Sequence, residues 1–185
     1  ELIQKARNKV LDALIAKEEL QTILNQIIHE IESIHPEMKA SILLLDSMSR
    51  LSKGAAPSLP DFYNEAVEGL NIGIGVGSCG TAAATGDLVI VSDISTHEYW
   101  KNYRDLAEKA NLRACWSFPF KDDSGKVLGT FAAYYDKPKS PNSSEINVIM
   151  EFSRITGLAV QNDKTEKERI KAEEEVKSLL LEKEI

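Results

Sequence analysis

The chain of 185 residues has room for one domain of ordinary size and some additional helix, and its 43% hydrophobic and 28% charged residues are typical of a folded, water-soluble protein. A net charge of −7 disfavours nucleic acid as a partner, because contacts to phosphates need a basic face, and no apolar run approaches the ~18 residues of a membrane span. We therefore expect a cytoplasmic protein that binds no nucleic acid and does not insert into a membrane.

The first predicted element is long and helical. Apolar residues follow a three-four spacing over residues 3–34, interrupted only by Lys17. This pattern predicts an amphipathic helix with a coiled-coil-like seam, or two helices joined near Lys17. Pro36 ends the pattern. The next predicted elements are a buried strand, its hairpin partner and a short helix, at residues 39–46, 50–57 and 60–67.

A glycine-rich segment follows and contains G-x-G-x-x-G at residues 75–80. A dinucleotide-binding loop needs a strand directly before its glycines, and a P-loop needs Gly-Lys-Ser/Thr after them. Residues 65–71 have a helical pattern and no such tripeptide follows, so we expect neither. We predict instead that Ser78 caps a helix of small residues that packs closely against a sheet.

The two cysteines of the chain, Cys79 and Cys115, are too few for a disulfide framework and lack the spacing of a zinc site, so we expect no metal. Both fit small buried side chains. Cys79 lies in the first turn of the predicted helix, where the helix dipole favours a thiolate and free N–H groups suit an anion. A reactive thiol is the alternative at this position.

The second half of the chain predicts three strands and two helices. The strands are expected at 87–92, 114–120 and 127–135, with helices at 96–110 and from Ser143 onward. After Gln161 the composition becomes almost entirely charged, which predicts a solvated helix that pairs weakly. Heptad positions are still occupied by apolar residues, namely Ile155, Leu158, Ala172, Val176 and Leu179. The element order predicts an α+β fold with an antiparallel sheet and long helices at both ends.

Five successive motifs resemble a GAF domain of the bacterial signalling type. They are GSCGTAA at 77–83, VSDI at 91–94, W-x-x-Y at 100–103, LRACWS-x-P at 112–119 and G-x-VLGTFAAYY at 125–135. The resemblance covers roughly residues 17–162. It implies a PAS-like antiparallel sheet with helices on one face and a pocket for an unknown small ligand on the other. It also implies a sensory module that forms a homodimer through its flanking helices.

Several subfamilies of GAF domains demand residues that this chain lacks. The N-K-F-D-E constellation of cyclic-nucleotide-binding members is absent. Bilin-attaching members usually have histidine beside the cysteine, but Trp116 follows Cys115. Haem sensing would need a histidine in the pocket, and the sole candidate, His97, is predicted at a solvent-facing helix end. We therefore expect no cofactor.

The resemblance leaves an enzymatic alternative open. Free methionine-(R)-sulfoxide reductases are GAF domains with a G-x-C-G turn similar to residues 77–80, but they use further cysteines and have a Ser-Glu-Ile-Val carboxylate where this chain has ACWS at 114–117. A nucleophile without its partner groups is not an active site. A GAF domain that has lost its ligand and acts only as a dimerisation spacer is a third hypothesis.

We expect the ligand pocket to combine aromatic walls with a few polar groups. Strand alternation places Cys115 and Ser117 on one face and Trp116 on the other. For the tryptophans the alternative is ordinary core packing, and for Asp93 it is a helix cap or an ion pair with Arg113. The candidate ligand-binding residues are Cys79, Asp93, Trp100, Tyr103, Arg113, Cys115, Trp116, Ser117 and Thr130.

The expected organisation is an N-terminal signalling helix at 1–16, the GAF domain at 17–162 and a C-terminal coiled-coil linker at 163–185. We expect this chain to be a piece of a longer protein. Residues 173–185 resemble the linker that enters a histidine-kinase dimerisation domain, although charged helices of this composition are common. The predicted output is a histidine kinase in a phosphorelay, with a diguanylate cyclase or phosphodiesterase as the alternative.

Overall fold

The computed structural model describes residues 1–183, so the last two residues of the predicted linker lie outside it. The helices are α1 Leu2–Ile15, α2 Leu20–Ile34, α3 Asp61–Val67, α4 Gly77–Thr85, α5 Arg104–Lys109 and α6 Ser143–Lys183, with a 3-10 helix at Glu98–Trp100. The strands are β1 Lys39–Leu45, β2 Leu51–Ala55, β3 Val89–Val91, β4 Ala114–Lys121 and β5 Val127–Tyr135.

One sheet carries the five strands in the order β2-β1-β5-β4-β3, and each neighbouring pair is antiparallel. The turn between β4 and β5 is closed by Asp122, whose carboxylate accepts hydrogen bonds from the backbone N–H groups of Ser124 and Lys126. This architecture confirms the predicted α+β fold with an antiparallel sheet.

The terminal helices cover one face of the sheet. Between α1 and α2 the backbone of Lys17 adopts a φ of 53°, so the predicted seam is divided into two helices rather than one. Apolar side chains of α2 and α6 pack against alternate residues of the strands, Trp116 and Phe131 among them, and α1 packs against α2 and α6. This layer is the larger of the two hydrophobic cores, since long amphipathic helices bury a continuous apolar stripe.

The opposite face is covered by short elements. Helices α3, α4 and α5 and the 3-10 helix bury a second core against it. Adjacent residues of β4 belong to different cores: Cys115 lies in this second core and Trp116 in the first. The predicted alternation along this strand is therefore observed.

The prediction of a single helix at 96–110 is wrong. Local hydrogen bonds compete with the helical ladder there: His97 Nδ1 accepts from the backbone N–H of Tyr99 at 3.1 Å, and Arg104 donates to the carbonyl of His97 at 3.1 Å. The segment forms the 3-10 helix Glu98–Trp100, a turn, and then α5.

Helix α6 is 41 residues long and changes character along its length. It begins with a capping box, in which the Asn142 side chain accepts from the N–H of Glu145 at 2.8 Å and Glu145 accepts from the N–H of Asn142 at 3.0 Å. Its first half is packed on the sheet, whereas Val176 and Leu179 are more than half exposed. Within residues 1–183, none of the helices has the length and apolar character needed to cross a bilayer.

Candidate functional site

A small, partly open cavity lies between the sheet and the short helices, within the second core. It offers about 30 Å³ to the centres of water molecules, which is room for about two waters. Charged side chains are absent from its described lining. The wall is formed by Leu43, Leu51, Tyr63, Val67, Leu70, Val76, Gly77, Ser78, Cys79, Trp100, Tyr103, Leu106 and Tyr134.

The glycine-rich segment builds one wall of this cavity by close packing. Gly77 has a φ of 61°, and a side chain added there would meet the indole of Trp100 at 3.5 Å. A Cβ at Gly80 would stand 2.6 Å from Val76 Cβ, so the first turn of α4 has no room for one. Because Trp100 covers this turn, the G-x-G-x-x-G pattern serves as a packing device and not as a phosphate cradle.

Ser78 does not cap α4, contrary to the sequence-based expectation. The N-cap residue is Val76, and no side chain accepts a hydrogen bond from the first turn. Ser78 is fully buried and its Oγ accepts from Trp100 Nε1 at 2.9 Å while donating to the carbonyl of Cys115 at 3.2 Å. This hydroxyl therefore links three elements: the 3-10 helix, α4 and β4.

Cys79 points from α4 toward the sheet. Its Sγ lies 3.8 Å from the hydroxyl of Tyr134, and the side chain lines the cavity. The pKa of Cys79 is lowered to about 7, chiefly because the Cys115 thiol lies beside it, with a smaller contribution from the hydroxyl of Tyr134. Burial acts in the opposite direction, since it disfavours a charged thiolate.

Cys115 is fully buried in β4, and burial raises the pKa of its thiol. The neighbouring Cys79 thiol raises it further, because two thiolates at one site repel each other. Burial likewise raises the pKa values of Tyr134 and Tyr63, whose hydroxyls lie 3.2 Å apart. Thus the site ionises first at Cys79, and its other three titratable groups stay neutral.

Two more hydroxyls face this cluster from the sheet. Ser117 in β4 and Thr130 in β5 lie on the same face as Cys115 and are fully buried. Neither oxygen reaches a hydrogen-bond partner among the described residues, and the same is true of Ser41 in β1. Buried hydroxyls without partners are costly, so the sheet face beneath α4 retains unused capacity to bind a polar group.

The structure brings together only some of the candidate residues. Cys79, Trp100 and Tyr103 line the cavity. Cys115, Ser117 and Thr130 lie behind Cys79 on the same face of the sheet. The other three candidates lie outside this group, and so does His97. They are Asp93, Arg113 and Trp116.

Asp93 and Arg113 form a half-exposed ion pair at 3.4 Å. The Asp93 carboxylate accepts from the N–H and hydroxyl of Ser95, which lowers its pKa, but it caps no helix because the N-cap residue of the 3-10 helix is His97. Trp116 packs in the other core, where its Nε1 donates to the carbonyl of Lys139 at 3.0 Å.

Sequence reasoning missed three residues of the site, Ser78 as a bridge and the pair Tyr63 and Tyr134. Ser78 and Tyr134 stand inside motifs that were recognised, but their roles depend on partners far along the chain. Tyr63 carried no signal of its own, because a tyrosine in a short helix fits ordinary core packing.

A family model described as GAF domain matches residues 17–161. The methyl sulfide methyltransferase-associated sensor of Methanosarcina acetivorans is 32% identical over 158 residues, which cover 85% of this chain but only 16% of that relative.

Two solved structures share the fold. A domain of a protein described as a two-component sensor histidine kinase from Sinorhizobium meliloti is similar, with a TM-score of 0.69 at 22% identity, over 82% of this chain and 97% of that one. Free methionine-R-sulfoxide reductase from Neisseria meningitidis is similar, with a TM-score of 0.67 at 17% identity, over 89% of each chain.

Proposed function

The chain belongs to the GAF domain family, and from this premise we propose that it is the ligand-binding sensor module of a longer cytoplasmic signalling protein. The observation that carries the proposal is the placement of the two cores, because the cavity lies on one face of the sheet and the helices that leave the domain lie on the other. The similarity to a sensor of Methanosarcina acetivorans supports the same function.

A path from the cavity to α6 runs through β4. Cys115 lies in the cavity-side core and the next residue, Trp116, in the core of the terminal helices. Trp116 donates to the carbonyl of Lys139, whose Nζ pairs with Glu145 at 3.0 Å in the first turn of α6. A ligand that displaces β4 would therefore change the contacts at the beginning of α6, provided that it binds one arrangement better than the other.

Most ligands need more room than the cavity offers. Small-molecule sites measure about 300–1,000 Å³, about ten times the volume found here or more. Entry of a metabolite therefore requires displacement of α3, α5 or the 3-10 helix, which together form the lid. Titration calorimetry with a metabolite panel tests this step, and heat of binding that disappears in Trp100→Ala but not in Trp116→Phe is the expected result. Absence of binding across the panel would favour the spacer hypothesis.

We propose that α6 carries the output as part of a homodimer. Beyond Asn162 it presents an unpaired apolar seam that includes Ala172, Val176 and Leu179. Light scattering should report a dimer for the chain and a monomer for Leu179→Asp. The control Ser178→Asp adds the same charge outside the seam and should remain dimeric. If both variants stay dimeric, α6 is not the dimer contact.

The proposed output domain is a histidine kinase, with a diguanylate cyclase or phosphodiesterase as the alternative. The fold shared with a sensor histidine kinase domain supports the first. Fusion of residues 1–185 to a kinase core tests it through ligand-dependent autophosphorylation.

A sulfoxide reductase is the second candidate function, favoured by the lowered pKa of Cys79 and the fold shared with such enzymes. The described lining of the cavity contains no carboxylate to assist the chemistry. Turnover of free methionine-(R)-sulfoxide with dithiothreitol, lost in Cys79→Ser, would establish the enzyme and contradict the non-catalytic module.

A further inference from the structure

The fold brings the two cysteines of the chain to one buried place, although 36 positions separate them. Cys79 Sγ lies 3.8 Å from the hydroxyl of Tyr134, and Cys115 is the direct cross-strand neighbour of Tyr134 on the same face. The hydrogen bond from Ser78 Oγ to the carbonyl of Cys115 holds the first turn of α4 against β4 at this point. Both thiols are free.

The two thiols differ in access and in ionisation. Cys79 lines the cavity, whereas Cys115 lies behind it in the sheet. Since the thiolate forms preferentially on Cys79 and the Cys115 thiol keeps its proton, the first is suited to attack and the second to resolve.

The cavity selects what can reach Cys79. Room for about two waters admits hydrogen peroxide, a neutral molecule of comparable size, and excludes bulky hydroperoxides. The absence of charged side chains from the described lining disfavours anionic oxidants, which would lose their hydration without gaining a partner. The hydroxyls of Ser117 and Thr130, which have no partners among residues 1–183, lie behind Cys79 on the sheet and are not part of the cavity lining.

We propose that Cys79 and Cys115 form a hydrogen-peroxide-reactive dithiol site that closes to an intramolecular disulfide. The Cys79 thiolate attacks one peroxide oxygen, the O–O bond breaks, and the leaving hydroxide takes a proton to become water. This step converts Cys79 to a sulfenic acid. The sulfur of Cys115 then displaces the sulfenic hydroxyl, which leaves as a second water with the Cys115 proton. Two thiols lose two electrons and one peroxide is reduced to two waters.

Hydrogen peroxide would then be the input of the proposed sensor. The dithiol reaction itself does not depend on the sensor function, whereas its effect on α6 does. An S–S bond is shorter than the present separation of the free thiols, so closure draws the first turn of α4 toward β4. The same strand contacts the beginning of α6 through Trp116 and Lys139.

Intact-mass spectrometry of the reduced chain after hydrogen peroxide tests the site. The wild type should lose two hydrogen atoms. Cys115→Ser should instead gain one oxygen, which dimedone added after denaturation in urea locates at Cys79. Cys79→Ser should neither lose hydrogen nor gain oxygen at the same dose. We expect tert-butyl hydroperoxide, the bulky control, to react at least tenfold more slowly. The rate should rise with pH through about 7 and then level, because Cys115, Tyr63 and Tyr134, the other titratable groups that face Cys79, remain neutral there.

Wild-type peptide mapping decides the question even if a variant fails to fold, because it must show a bond between the peptides that contain Cys79 and Cys115. An unchanged wild-type mass, or disulfides only between chains, overturns the proposal. Hydrogen exchange separates the site from the relay. If the disulfide forms but hydrogen exchange in α6 does not change, the dithiol site stands and its coupling to the output is refuted. If a metabolite binds but peroxide forms no disulfide, the sensor function stands and the dithiol site is refuted.

Discussion

Ser78→Ala should destabilise the protein by more than the loss of one hydroxyl suggests. Ser78 Oγ is the acceptor for Trp100 Nε1 at 2.9 Å and the donor to the Cys115 carbonyl at 3.2 Å, and both side chains are buried. Without it, an indole N–H remains buried without a partner, which costs about 1–3 kcal/mol. Urea denaturation followed by circular dichroism measures the change in the free energy of unfolding.

A double-mutant cycle isolates that cost. In the background of Trp100→Phe no N–H is left unpaired, so Ser78→Ala should then cost only the net value of its bond to the carbonyl, about 0.5–1.5 kcal/mol. The expected coupling energy between the two positions is about 1–2 kcal/mol, within the range for residues in one hydrogen-bond network.

The matched control is Ser153→Ala on the opposite face of the sheet. Ser153 is also buried and donates to a strand carbonyl, that of Phe118 at 3.4 Å. Within residues 1–183 no tryptophan N–H donates to it, so its loss leaves no donor unpaired. It should cost less than about 1 kcal/mol. If Ser78→Ala costs the same in both backgrounds to within about 0.5 kcal/mol, the bridge through Ser78 has no energetic role.

Three further predictions concern the same packing and chemistry. Gly80→Ala should destabilise by about 1–3 kcal/mol, because its Cβ would stand 2.6 Å from Val76, while Gly73→Ala, whose Cβ meets Val76 at 3.5 Å, should be near neutral in thermal unfolding. Trp116→Phe should cost about 1–2 kcal/mol through the lost hydrogen bond, without slowing peroxide oxidation of the dithiol, and a slower reaction would contradict the separation of the two cores. Under reducing conditions the difference in unfolding free energy between wild type and Cys79→Ser should grow as pH rises from 7 toward 9, by at most about 1.4 kcal/mol per pH unit. The reason is that the Cys79 thiol, with its lowered pKa, has lost its proton in the folded state but keeps it when unfolded. A constant difference would refute the folded-state thiolate.

The sheet and its terminal helices could be predicted because their signals are local and repeated. The three-four spacing of apolar residues over 3–34 and the turn at Asp122 depend on neighbours in the chain, and the structure contains the helices and the β4–β5 hairpin that they indicate. The prediction of one helix at 96–110 failed, because side-chain hydrogen bonds of His97 and Arg104 to the backbone outweigh the helical spacing.

The sequence by itself determined the family, the alternation along β4 that separates Cys115 from Trp116, and the long helices at either end, since each follows from a motif or a period of the chain. Only the tertiary structure decided that Ser78 bridges Trp100 and β4, and that Cys79 meets Tyr134, the cross-strand neighbour of Cys115. Those contacts join residues 22 to 55 positions apart. No local pattern encodes such distances, because they arise when a helix and a sheet pack face to face.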